Sequence, residues 1–170
     1  MAKFIYTTFG TRDVLQGIQA KHKNRNIYLA IDNDDQDRFQ LIEATDDENS
    51  PFASGTTYEV LDTEETDNSN DLRGWMQWSY IILNEDESDA FVRRYRLFVE
   101  EHAATTGLLS SFLLHVPGTF DYAILTTWTT HAAAQVFAKQ RASFFDRYTG
   151  LNSSRYNLRE KQFSFSALTK

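Results

Sequence analysis

Lys3–Thr8 (KFIYTT) is dense in β-branched and aromatic residues and predicts a strand. Gly10-Thr11 ends it. Behind Thr11, a side chain suited to capping, Val14, Leu15 and Ile18 recur at helical spacing and predict a helix. Asn26–Asp32 and Arg38–Thr45 predict two strands around an acidic turn, and Thr57–Leu61 predicts a further short strand. The first part of the chain therefore reads β-α-β-β-β, with only Ser50–Gly55 where a second helix could stand.

The second part is more regular. Trp75–Leu83 (WMQWSYIIL) predicts a strand, and the acidic run Asn84–Glu87 suits the positive end of a following helix, expected at Ser88–Thr105. Phe91, Tyr95, Phe98 and His102 share one face of that helix, with Arg93, Arg94 and Arg96 mostly off it. Leu108–Val116 and Asp121–Thr129 predict strands joined by a Pro117-Gly118 turn. Tyr122, Ile124, Thr126 and Trp128 lie on one face of the latter. Thr130 can cap a helix over His131–Tyr148 with a stripe of Ala133, Phe137, Gln140, Phe144 and Tyr148, and Tyr156–Ala167 alternates as a last strand. The order β-α-β-β-α-β is the ferredoxin-like one, with two helices on one face of a four-stranded antiparallel sheet. The first part looks like a shortened version of it.

Charge divides the chain at the same place. Of its 170 residues, 1–71 hold 6 basic and 15 acidic residues, a net of −9, and 72–170 hold 11 and 9, a net of +2. The acidic run 62–71 (DTEETDNSND) is the natural linker, dividing an acidic half, 1–71, from a second half, 72–170. The acidic total argues against a nucleic-acid binder, and no RNA-binding aromatic signature occurs. No run approaches the roughly 20 apolar residues of a membrane span. The absence of cysteine removes thiolate metal sites and thiol nucleophiles and suits a reducing, cytoplasmic setting.

Little local chemistry stands out. There is no P-loop, GxGxxG, HExxH or GxSxG. The acidic turn Asp32–Asp37 lacks the glycine and late glutamate of a calcium loop. His22, His102, His115 and His131 are too far apart in sequence to form a helical metal pair. The aromatic residues of the second half are the stronger feature. A sheet covered on one face needs something on the other, whether a second copy, the first half of this chain, or a ligand. Aromatic-lined cavities suit flat hydrophobic molecules.

The string Lys3-Phe4-Ile5-Tyr6-Thr7-Thr8-Phe9-Gly10-Thr11 resembles the N-terminus of bacterial TRAP/HmoB-type proteins, and Ile42–Asp47 followed by Thr57–Leu61 resembles their second segment. Residues 75–167 look like the C-terminal antibiotic biosynthesis monooxygenase (ABM) domain of that family. The match there is a strand ending at Trp128, then a helix carrying Phe137 and Ser143–Tyr148. The resemblance implies a dimeric α+β barrel, or one chain imitating it through its two halves and so acting as a monomer, with a homodimer as the alternative. It implies haem, or another flat hydrophobic molecule, as substrate or ligand. Some members cleave haem oxidatively, and a staphylococcal one is described as a signalling protein.

IsdG-type haem-degrading members use an Asn, a Trp and an iron-ligating His. Those positions fall here on Ser79, on Phe137, and on Arg147 or Tyr148. None of the three residues is kept. Ser79 is the candidate catalytic residue, and Trp128, Phe137, Arg141, Phe144, Arg147 and Tyr148 are candidate ligand-binding residues. No metal ligand is expected unless haem binds, when Tyr148 could serve as a phenolate. The implied activity is a haem-degrading or cofactor-independent monooxygenase. The alternative is a non-catalytic ligand-binding or signalling protein.

Overall fold

The computed structural model describes residues 2–65, 72–102, 107–149 and 153–165. The elements are β1 Phe4–Gly10, α1 Arg12–Lys21, β2 Tyr28–Asp32, β3 Phe39–Thr45, β4 Thr56–Glu65, β5 Trp75–Ile82, α2 Glu85–His102, β6 Leu108–His115, β7 Asp121–Trp128, α3 His131–Phe145, α4 Ser153–Tyr156 and β8 Arg159–Phe165. A 3-10 turn, Asp146–Tyr148, follows α3 directly. The predicted α+β, ferredoxin-like barrel is found, with small shifts of boundary and a short helix ending at Tyr156, where the last strand is expected to begin.

All eight strands pair antiparallel in one closed barrel, β1-β3-β2-β8-β5-β7-β6-β4, closed by β4 on β1. Its internal order repeats. The first half runs β4-β1-β3-β2 and the second β8-β5-β7-β6, the same ferredoxin-like sequence of strands. The halves meet edge to edge along two seams. One pairs β2 with β8 (Ala30↔Phe165, Asp32↔Phe163). The other pairs β4 with β6, from Glu59↔His115 to Glu65↔Ser110, with an irregularity between Val60 and Asp62. Among the described residues closure leaves no free strand edge, so the backbone groups that would otherwise template aggregation are paired. β4 runs through Glu65, so the first residues of the expected linker are strand. The remainder of that linker, 66–71, lies outside the described residues.

Strand alternation sends one set of side chains into the barrel, where Ile5, Ile42, Met76, Trp78, Phe112 and Leu125 are fully buried. The opposite face of the second half packs under α2 and α3 through Ile81, Leu113, Ile124 and Trp128. Phe91, Tyr95 and Phe98 of α2 point into that layer as expected; the side chain of His102 lies outside the described residues. Each such aromatic, fully buried, contributes roughly 1.5–3 kcal/mol.

The helix caps follow the sequence in part. Thr130 accepts a hydrogen bond from Ala133 N. Thr11 occupies the N-cap position of α1, but its side chain makes no capping bond. α2 begins at Glu85 rather than Ser88 because Asn84 and Glu87 form a capping box: Glu87 N donates to Asn84 Oδ1 and Asn84 N to Glu87 Oε1.

Among its described residues the first half has no second helix. The segment between β3 and β4 takes its place, held by Arg25. The Arg25 guanidinium grips the buried carboxylate of Glu43 (Nη2 to Oε1 2.6 Å, Nε to Oε2 2.9 Å), donates to the carbonyl of Asn49, and pairs with Asp47. Tyr6 also donates to the carbonyl of Asp47. Phe52 packs against the small core of Leu15, Ile27, Leu29 and Leu41 beneath α1.

Candidate functional site

Most of the sequence-predicted site residues come together, in the layer between α2, α3 and the sheet. Trp128, Phe137, Phe144 and Tyr148 are buried there in mutual ring contact. Trp128 lies 4.9 Å from Phe137 between ring centroids, Phe98 is 5.5 Å from both Phe137 and Phe144, and Phe91 is 5.6 Å from both Phe144 and Tyr148. Arg147 is exposed, its charge acting on the neighbouring Tyr148. The α3 stripe also differs from expectation by one position: Arg141, 1% exposed, faces inward while Gln140 is exposed. Arg141 lies one four-residue step after Phe137, on the same helix face, and its guanidinium lies 5.6 Å from the Phe145 ring centroid.

Arg141 is the polar centre of this layer. Its Nη2 donates to Glu160 Oε1 (2.9 Å), and burial lowers its pKa against the stabilising charge of Glu160. A guanidinium stays protonated under such a shift. Its Nε and Nη1, the Ser79 Oγ and the Gln77 Oε1 have no hydrogen-bond partner among the described residues. Ser79 and Gln77 alternate with inward-facing Met76, Trp78 and Tyr80, so they point toward α3. Ser79 is in register with Glu160. Tyr95, its pKa pushed up to about 12 by burial, shares a 2.8 Å hydrogen bond with Ser111 nearby.

The Tyr148 hydroxyl accepts from Arg94 Nη1 at 2.7 Å, with the guanidinium 5.5 Å from the ring, and burial raises its pKa. A phenol so held is protonated at neutral pH and already engaged. Arg94 thus lies closer to the core than its sequence position suggests.

Open volume lies elsewhere. One end of the barrel holds a cavity of about 740 Å³, and none of Ser79, Trp128, Phe137, Arg141, Phe144, Arg147 or Tyr148 lines it. Its walls carry Phe9, Tyr58, Tyr80 and Phe163, with Arg38, Arg159 and Lys161 at the rim. Below Tyr80 runs a ladder of rings: Trp78 stacks on Tyr80 (5.4 Å, planes 5° apart) and meets Tyr58 at 5.5 Å. Burial pushes the Tyr58 phenol up to about 12, reinforced by Asp121. It raises that of Tyr80 as well, with Tyr58 adding and Arg159 and Arg38 opposing. Both hydroxyls are therefore donors at neutral pH.

Lys161 is 3.7 Å from the buried Asp32 carboxylate. Arg38 and Arg159 form no salt bridge among the described residues. Each lies over a ring instead, Arg38 4.4 Å from the centroid of Phe9 and Arg159 5.4 Å from that of Tyr80. No local spacing joins positions 9, 38, 58, 80, 159 and 163. Only the parity of the strands, which puts Tyr80 on the face of Trp78, hints at the cavity.

Among the described residues no cluster of three potential metal ligands occurs, and no helix is long and apolar enough to cross a membrane. His115 is partly exposed, with its Nε2 2.7 Å from the Thr119 carbonyl, and His131 is exposed beside Trp75.

The chain matches no family model and no curated protein sequence. Its fold is nevertheless shared by solved structures. A protein of Listeria monocytogenes 4b F2365, described as an uncharacterized ferredoxin-fold protein related to antibiotic biosynthesis monooxygenases, is 18% identical. That match covers 98% of this chain and 96% of that one at a TM-score of 0.77. A heme-degrading enzyme from Listeria monocytogenes is 18% identical over 96% of this chain and 100% of its own, at 0.72. A major regulator of staphylococcal pathogenesis is 21% identical over 95% and 98%, at 0.77. At these identities the likeness is one of fold, the closed ferredoxin-like α+β barrel.

Proposed function

We propose that this chain is a small-molecule-binding protein built on the ABM-like fold, and that it takes a flat hydrophobic ligand in the barrel-mouth cavity. The observation that carries the reading is the cavity itself. At about 740 Å³ it is within the range of small-molecule sites, and rings line it. Haem is the first member of that ligand class to test, since one solved protein of the same fold is described as heme-degrading. The residues here do not fit an iron ligand. Tyr58 and Tyr80 are held as phenols, no histidine lines the cavity among the described residues, and Tyr148 is engaged by Arg94. No step through haem iron follows, and the macrocycle would be held by its faces and edges.

Purified protein titrated with haemin and, separately, with metal-free protoporphyrin IX should bind both saturably, one to one and with similar affinity. Ascorbate in air should leave the Soret band intact. Failure of both titrations to saturate overturns the reading.

A second reading is favoured by the polar atoms without partners in the helix-covered layer. Under it, Ser79, Trp128, Phe137, Arg141, Phe144 and Tyr148 form the site of an ABM-type monooxygenase. A substrate entering between α3 and the sheet would find a desolvated guanidinium at Arg141, placed to stabilise negative charge developing on its oxygen. Orphaned buried donors of this kind are rare enough in folded proteins to call for a cause. Here the chain would orient the substrate and exclude water, while substrate and dioxygen carry the chemistry. Loss of the Soret band with release of iron, abolished by Arg141→Gln but not by Arg159→Gln, would replace the first reading with this one.

A further inference from the structure

We propose that the barrel-mouth cavity selects planar aromatic carboxylates, with Arg38 and Arg159 gripping the acid group while the rings below hold the plane. This rests on the reading of the cavity as a ligand site and names the class of ligand.

The charge of the cavity is opposite to that of the chain. The whole sequence has a net charge of −7, yet the cavity lining holds Arg38, Arg159 and Lys161 against one carboxylate, Asp121. Lys161 answers the buried Asp32. The two arginines have no acidic partner among the described residues, and each lies over a ring of the cavity wall, Arg38 over Phe9 and Arg159 over Tyr80. A guanidinium offers a planar fork of donors that matches a carboxylate in two parallel hydrogen bonds. The Tyr58 and Tyr80 hydroxyls can donate to the same oxygens. A polycyclic ring then has Phe163 and the Tyr80–Trp78 stack to lie against.

The site also depends on closure of the barrel. Arg38, Phe9 and Tyr58 come from the first half, and Arg159, Tyr80 and Phe163 from the second. The register Asp32↔Phe163 across the β2–β8 seam brings the sets together. Neither half holds both guanidiniums. This is a physical reason for a single chain to carry both halves: the two sides of the cavity need not be alike, as they would be in a symmetric dimer.

The test uses the full-length protein and 2-naphthoate, with 2-acetylnaphthalene as a neutral partner of the same shape. Binding is followed by quenching of tryptophan fluorescence and by calorimetry. Naphthoate should bind at one site about tenfold or more tightly than the ketone, and more weakly as salt is raised. Arg38→Gln and Arg159→Gln should each weaken naphthoate binding several-fold and leave the ketone unchanged. Both side chains are exposed, so urea midpoints should match the wild type and separate lost binding from lost folding. If acid and ketone bind equally, or if the two variants bind naphthoate like the wild type, the carboxylate assignment is wrong while the cavity remains a ligand site. If neither compound binds, both the assignment and the cavity reading fall.

Discussion

Removing the Arg25 side chain should cost this protein far more than the loss of a surface cation. Glu43 is 3% exposed, and its carboxylate is satisfied by Arg25 through Nη2 at 2.6 Å and Nε at 2.9 Å. The same guanidinium holds the Asn49 carbonyl at 2.9 Å and Asp47 at 3.3 Å. Breaking a buried pair by deleting one partner costs roughly 3–5 kcal/mol, because the remaining charge is left without compensation. The Arg25 side chain is 17% exposed, so water can reach part of the gap, which places Arg25→Ala at roughly 2–4 kcal/mol. With a urea slope of about 2 kcal/mol per molar, the midpoint should fall by about 1–2 M.

Arg25→Lys should recover only part of this, since an ammonium cannot span Glu43, Asp47 and Asn49 together. The double variant Arg25→Met with Glu43→Leu should recover more than half, because apolar replacement of both partners removes the stranded charge. Urea unfolding followed by tryptophan fluorescence measures all three. A midpoint shift below about 0.3 M for Arg25→Ala, at the slope used above, or a double variant no better than the single one, would refute the claim that this pair holds the β3–β4 segment in place.

Other outcomes follow from the same structure. Glu87 caps α2 and accepts from Tyr156 and Arg155; burial works to raise its pKa, but these bonds, with that from the Asn84 backbone, hold it below the usual 4.5. A carboxyl depressed in the folded state adds stability above its unfolded pKa and loses it as pH falls through the folded one. The stability gap between wild type and Glu87→Gln, about 1–2 kcal/mol at pH 7, should therefore shrink below pH 4.5 when urea midpoints are compared across pH. Gly74 has φ +82, and a Cβ there would lie 2.0 Å from the Trp128 carbonyl oxygen. Gly74→Ala should accordingly lower the melting temperature markedly by scanning calorimetry, and an unchanged value would contradict the local backbone geometry. The closed barrel leaves no sheet edge to pair, so light scattering should give a mass near 19.7 kDa; a stable mass twice that would point to a homodimer through another face.

The strands and helices were legible because each carries its own period. Trp75–Ile82 alternates, Phe91, Tyr95 and Phe98 step along one helix face, and Thr130 marks the start of α3. Those signals are local, and local geometry decides them. Arg141 shows where local reading fails. A stripe drawn from apolar residues alone passes over a guanidinium that the fold buries against Glu160, which lies 19 residues away in sequence. Asp62 fails the other way: it belongs to an acidic run that reads as linker, yet it pairs with Leu113 in the barrel wall.

By itself, then, the sequence determined the ferredoxin-like order of its second half, the shortened copy in its first, and the uneven charge between them. The tertiary structure decided what that order encloses. Strand parity says which residues share a face, but not whether the face meets a helix, another sheet or open space. Closing the two seams answered that, putting the aromatic residues beneath α2 and α3 in a packed layer. Open volume was left at the barrel mouth, where Arg38 and Arg159, 121 residues apart in the chain, line one cavity because two strand edges had unpaired backbone groups to satisfy.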